Sequence, residues 1–101
     1  MSAFNVVKFR VKPGQETLFL DAHRGGKANW PGLLRGVMTR TGDRTYCLIG
    51  EWVDTKAMIE ARGKMIATLD SFRETLEELG PGLGVTDAVS GAVVLEFTHN
   101  P

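Results

Sequence analysis

The sequence predicts an α+β fold in which a four-stranded antiparallel sheet carries its helices on one face only. Three observations predict it. Residues Ala3 to Lys12 alternate, with Val7, Phe9 and Val11 on one side and Lys8, Arg10 and Lys12 on the other, the period of a half-buried strand. Two β-leaning runs, Leu33 to Thr41 and Thr45 to Val53, are joined through Thr41-Gly42-Asp43-Arg44, short enough for a hairpin. Apolar residues at helical spacing occur once before this pair and once after it, and a final alternating run closes the chain. The order β-α-β-β-α-β with right-handed crossovers gives the split βαβ, or ferredoxin-like, arrangement.

Each element has a local cause. Pro13-Gly14 ends the first strand, because proline cannot continue a ladder. Leu18, Phe19, Ala22 and His23 then carry a helix from Gln15 to about Asn29, weakened at Gly25-Gly26 and followed by Trp30-Pro31-Gly32. After the hairpin, Asp54 is an N-cap for a long helix, Lys56 to Leu79, whose stripe of Met58, Ala61, Met65, Leu69, Phe72, Leu76 and Leu79 faces the sheet. Ser71-Phe72-Arg73-Glu74 has the form of a capping box and is a candidate break within it. Gly80-Pro81-Gly82 stops the helix, and Ala88 to Phe97 forms the last strand, with Val89, Val93, Leu95 and Phe97 on one face.

With 101 residues the chain has room for one domain, here assigned as 1–101, and a core of that size leaves stability marginal. The helices cover one sheet face; Phe4 and Val6 on the first strand and Ala92 and Val94 on the last are expected on the other, which calls for a partner. A two-fold homodimer is the simplest closed solution. Twelve basic residues balance twelve acidic ones, so no net field draws in a nucleic-acid backbone or an anionic membrane. The N-terminus lacks the charged start and apolar run of a signal peptide and nothing approaches a membrane span, so a cytoplasmic protein is expected. The single cysteine, Cys47, lies in an apolar alternating run and is expected to be a buried, inert thiol.

Over nearly its whole length the chain resembles the antibiotic-biosynthesis-monooxygenase-like group of the dimeric α+β barrel superfamily. The resemblance rests on element order and on Lys12-Pro13-Gly14, Trp30-Pro31-Gly32-Leu33, Glu51-Trp52-Val53-Asp54 and the helix that follows. It implies an active cavity between sheet and helices within one subunit. In some members that cavity oxygenates phenolic or quinol-type aromatics with neither metal nor flavin, so no cofactor is expected. The haem-degrading branch has an asparagine on strand one, matched by Asn5, and a tryptophan and a histidine on the second helix. Lys56 to Leu79 contains neither, which removes the haem reading.

Candidate residues follow, each with two readings. Asn5 shares the face of Val7, Phe9 and Val11, so its amide either bonds a neighbouring loop or lines a cavity. His23 falls on one helical stripe with Phe19 and Trp30 and has a pKa suited to general-base work, or it is an exposed surface histidine. Asn5 and His23 are the catalytic candidates; Trp52, Phe19, Trp30, Arg62 and Met65 are the candidates for holding a small apolar or aromatic ligand. Trp52 shares a sheet face with Tyr46, a face that either lines a pocket or anchors the dimer interface, unless Trp52 simply packs a helix onto the sheet. Arg62 interrupts the apolar stripe and either meets an acidic group or snorkels to water. Met58 and Met65 suit an adaptable pocket or plain core. His99 and His23 make no metal-ligand spacing, and Gly80 to Gly84 follows a helix, so it is no phosphate loop. Three functions remain in competition: a cofactor-independent monooxygenase, a non-catalytic or stress-associated dimeric module holding a small ligand in the same cleft, and a structural protein with a filled interior.

Overall fold

A computed structural model describes residues 2–24 and 30–98. Strand β1 (Ala3–Arg10) is followed by helix α1 (Glu16–Arg24), β2 (Leu33–Gly42), β3 (Thr45–Trp52), helices α2 (Thr55–Glu60) and α3 (Arg62–Phe72), a single 3₁₀ turn (Arg73–Thr75) and β4 (Thr86–Ala92). The strands form one antiparallel sheet in the order β2-β3-β1-β4, the ferredoxin-like arrangement. The expected extension of α1 to Asn29 and the residue His99 lie outside the described residues.

Local chemistry accounts for the boundaries. Asp54 caps α2 as expected, its carboxylate accepting from the Ala57 backbone N–H at 2.8 Å. Gly32 adopts φ +87° at the entry to β2, where a side chain would collide with Ala57. The β2–β3 loop places Arg44 at φ 51°, a conformation that glycine or asparagine usually takes. Its guanidinium holds it there, donating to the Val11 carbonyl at 2.8 Å and to Glu77 at 3.0 Å.

Two expectations about the second half need correction. The long helix does not run to Leu79. It kinks at Ala61 into α2 and α3, with Gly63 of low helix propensity in the first turn beyond, and α3 ends at Phe72. Ser71 does not cap; its hydroxyl donates back to the Thr68 carbonyl at 2.6 Å. Leu76 is extended and bridges Val11, and Glu77 donates to the Arg10 carbonyl, so this segment prolongs the sheet edge instead of the helix.

The last strand also differs. It begins at Thr86 and ends at Ala92, and Val94, Leu95 and Phe97 lie outside any ladder at 89%, 75% and 88% exposure. Its faces are the reverse of the expected ones: Val89 stands opposite Val6 on the uncovered side, and Ala92 opposite Ala3 on the helix side. The loop through Gly80 to Gly84, with Gly82 and Gly84 at positive φ, sets that register, and no periodicity within the strand encodes it.

Reading the register across all four strands organises the molecule. On the helix side the rows are Leu33-Trp52-Ala3-Ala92, Gly36-Gly50-Asn5-Ser90, Met38-Leu48-Val7-Ala88 and Arg40-Tyr46-Phe9-Thr86. On the other side Val37-Ile49-Val6-Val89 forms an unbroken apolar row. Cys47 belongs to that uncovered side, between Thr39 and Lys8, and is half-buried, not the buried core thiol its apolar run suggests.

Candidate functional site

The helix side contains two packed clusters with a gap between them. Phe9, Val11, Phe19, Tyr46, Phe72 and Leu76 form one; Ala3, Trp52, Met58 and Ala61 form the other. Between them the sheet presents the row Gly36-Gly50-Asn5-Ser90, two residues with no side chain and two short polar ones, which leave most of the space below the helices unfilled. The result is a cavity of about 380 Å³ between sheet and helices, within the range of small-molecule sites. A filled interior, the mark of a purely structural protein, is absent among the described residues.

Asn5, His23, Trp30, Trp52, Arg62 and Met65 all border this cavity. Phe19 does not: it is fully buried behind His23, because helix α1 turns it into the Phe9 cluster, where the two rings meet edge to face at 5.4 Å. Met58 also borders the cavity, and Tyr46 shares its sheet face but lies in the core, its hydroxyl donating to the Glu16 carboxylate and tying α1 to β3. That hydrogen bond, with burial, pushes the Tyr46 phenol up from its ordinary value.

At one end of the cavity, Asn5 is buried and accepts from the indole N–H of Trp52 at 2.8 Å through Oδ1. An indole nitrogen only donates, so this bond fixes the amide orientation and turns Nδ2 the other way, where it meets the weak acceptor Met65 Sδ at 3.8 Å. Gly50 makes this possible, since a Cβ there would collide with Asn5 Oδ1 and stand 3.0 Å from the Trp52 nitrogen. Trp30 stacks on Trp52 with centroids 6.1 Å apart and planes 12° from parallel.

At the other end, His23 packs against Phe72, Phe19 and Phe9 at 4.4, 4.8 and 6.3 Å between ring centroids. Its Nδ1 lies 2.8 Å from the Phe19 carbonyl, which only accepts, so Nδ1 carries the hydrogen and Nε2 the lone pair. Nε2 is closed off from solvent and has no hydrogen-bond partner. Burial holds the His23 pKa below its ordinary 6.5, with the Phe19 bond opposing in part. The imidazole is thus a neutral base at neutral pH.

Arg62 is exposed, on the first turn of α3. It is the other ionisable group among the described lining residues. No group of three or more potential metal ligands occurs among the described residues, and no helix there is long and apolar enough to cross a membrane. Gly36, Gly50 and Ser90 were not singled out from the sequence. Their signal was present in the strand pairing, since the hairpin sets Gly36 opposite Gly50 and β1 sets Asn5 between Gly50 and Ser90.

No family model matches the chain, and no curated protein sequence matches it. Solved structures match across almost its full length. SnoaB, a cofactor-independent oxygenase from Streptomyces nogalater, superposes with a TM-score of 0.70 at 17% identity, covering 97% of this chain and 98% of that one. A proposed antibiotic biosynthesis monooxygenase from Caulobacter crescentus gives 0.68 at 22% identity, with 93% and 91% covered. A dimeric ferredoxin-like protein from an uncultured marine organism gives 0.72 at 14% identity, with 98% and 93% covered. The fold is therefore that of the antibiotic-biosynthesis-monooxygenase-like, ferredoxin-like proteins, and at these identities the likeness is one of architecture.

Proposed function

We propose that the protein is a homodimeric, cofactor-independent monooxygenase acting on a small aromatic or quinone-like substrate held between sheet and helices. The observation that carries the reading is the apolar cavity between sheet and helices with the half-buried His23, a neutral base, among its lining residues. An electron-rich hydroxyarene needs little else. The base takes the hydroxyl proton, and the oxyanion passes an electron to dioxygen. The resulting pair recombines at carbon as a peroxide, which loses water to leave the quinone. One oxygen atom enters the substrate and the other leaves as water, all reducing electrons coming from the ring. The protein supplies orientation, a proton acceptor and exclusion of water.

The dimer reading rests on the uncovered sheet face. Its row Val37-Ile49-Val6-Val89 and the exposed arm Val94, Leu95 and Phe97 together present apolar surface of the kind a second copy buries. The dimeric marine protein with the same architecture supports it.

Oxygen uptake with a panel of naphthols, anthrones and quinols tests the activity. Turnover above buffer, falling at least tenfold in His23→Phe and in Asn5→Ala, is the expected result. Rates equal to buffer, or unchanged in both variants, reject it. Ligand-dependent thermal stabilisation without product would instead identify a binding module using the same cavity.

A further inference from the structure

The helix wall of the cavity carries a fixed positive charge and, among the described residues, no negative one. Met58, Arg62, Met65 and Leu69 line it at steps of four, three and four residues, a single stripe that crosses the kink from α2 into α3. Three members of the stripe are apolar and one is a guanidinium. No aspartate or glutamate borders the cavity among the described residues. Arg62 also lacks a partner elsewhere. Arg10, Arg24, Arg40, Arg44 and Arg73 each stand 3.0–3.9 Å from a carboxylate, whereas Arg62 makes no ion pair or hydrogen bond among the described residues. The carboxylate two residues back, Glu60, lies 4.0 Å from Lys56 instead. The charge sits at the mouth, since Arg62 is exposed while Met58 and Met65, on either side of it in the stripe, are buried and half-buried. Both methionines pack with Trp52 and Trp30, which places the cation at the indole end of the cavity.

We infer, resting on the proposed reading of this cavity as the ligand site, that its ligand is an aromatic carboxylate, with a flat apolar body inside and one carboxylate held at the mouth by Arg62. A guanidinium presents its N–H donors in a planar fork that matches the two oxygens of a carboxylate. At the mouth the carboxylate keeps water on its outer side and avoids the cost of burying a charge, while the ring enters the apolar interior. One guanidinium answers one negative charge; a dianion leaves a charge unbalanced, and a cation is repelled. The ligand's direction follows. Its carboxylate end faces solvent beside Arg62, and the opposite end of the ring system points inward, away from bulk water. Arg62 binds and orients and takes no part in proton or electron transfer.

The test is anaerobic calorimetry on the full chain, which reads binding apart from oxygenation. The probes are a hydroxynaphthoate with hydroxyl and carboxylate at opposite ends, its methyl ester, the corresponding aminomethyl naphthol and naphthyl phosphate. The acid should bind about fivefold more tightly than the ester, and the amine and the phosphate should bind more weakly than the acid. In Arg62→Gln the acid and the ester should converge, and Arg62→Lys should keep part of the preference. Arg73→Gln, which removes an exposed charge beyond the far end of α3, should leave it unchanged. An ester that binds as tightly as the acid, tightest binding by the amine or the phosphate, an acid preference that survives Arg62→Gln or is lost equally in Arg73→Gln, or no binding by any probe would overturn the inference. The comparison of probes on the unaltered protein stands even if a variant fails to fold. An acid preference without oxygen uptake would reject the monooxygenase and keep this inference; oxygen uptake without an acid preference would do the reverse.

Discussion

Replacing Gly50 with alanine should disturb the site more than any other single added methyl on the sheet. The new Cβ collides with Asn5 Oδ1 and stands 3.0 Å from Trp52 Nε1, so the amide must rotate away and the indole N–H loses its acceptor. Trp52 is fully buried, and an unpaired donor there costs about 1–3 kcal/mol. Overpacking adds roughly 1–3 kcal/mol. Removing a strand glycine returns about 0.5–1 kcal/mol by reducing the entropy lost on folding. The net expectation is a loss of roughly 1–5 kcal/mol. Gly36 is the internal control: it lies directly opposite Gly50 on the neighbouring strand, and a Cβ there meets nothing within 4 Å. Gly36→Ala should therefore be neutral or slightly stabilising. Urea unfolding followed by tryptophan fluorescence measures both. In an Asn5→Ala background the cost of Gly50→Ala should fall by at least ~1 kcal/mol, because the colliding atom is gone. Equal effects at Gly36 and Gly50, or a cost independent of Asn5, would refute the argument that Gly50 makes room for the amide.

Two further outcomes follow from the same geometry. The unfolded chain protonates His23 near 6.5 while the folded chain holds that pKa lower, so on acidification through 6.5 the unfolded state binds the proton first and stability falls; above it this contribution is constant. His23→Phe should flatten that part of the stability profile between pH 7.5 and 5.5, and an unaltered slope would show that His23 is not the group responsible. On the opposite face, Ile49→Lys puts a charge midway along the row between Val6 and Val37 and should halve the mass seen by light scattering, leaving ligand binding in the cavity intact.

Much of this was legible in the sequence, for identifiable reasons. Period-two alternation gave β1 and its inward face, including Asn5 among apolar residues, because one sheet face is buried and register is then strongly specified. Asp54 and the Gly42-Asp43-Arg44 connection gave their boundaries through side-chain and turn chemistry. The fourth strand was misread because Val93, Val94, Leu95 and Phe97 look like strand continuation, whereas pairing with β1 is exhausted at Ala3 and Ser2. The end of α3 was misread because Leu76 and Leu79 extend the helical stripe by coincidence of spacing, while Leu76 is used to bridge Val11. His23 was recognisable as a candidate, but its tautomer was not, since that depends on the Phe19 carbonyl one turn earlier and on aromatic rings from β1 and α3.

The glycine pair at the cavity floor connects stability to function. A glycine inside a strand costs about 0.5–1 kcal/mol relative to alanine, and here two of them face each other beneath an unfilled space. Selection for stability alone would place larger residues there. If the cavity is kept open for a ligand, filling it should stabilise the fold and abolish binding together. Gly36→Leu makes that test, since nothing obstructs its Cβ and the side chain extends over the cavity. Burying most of a leucine side chain contributes roughly 1.5–3 kcal/mol, or a rise in Tm of about 5–15 °C for a chain of this size. Differential scanning calorimetry and titration with a naphthol measure the two effects. A stabilised variant that still binds would mean the ligand sits elsewhere, whereas a destabilised one would mean the space over Gly36 is needed by the fold itself.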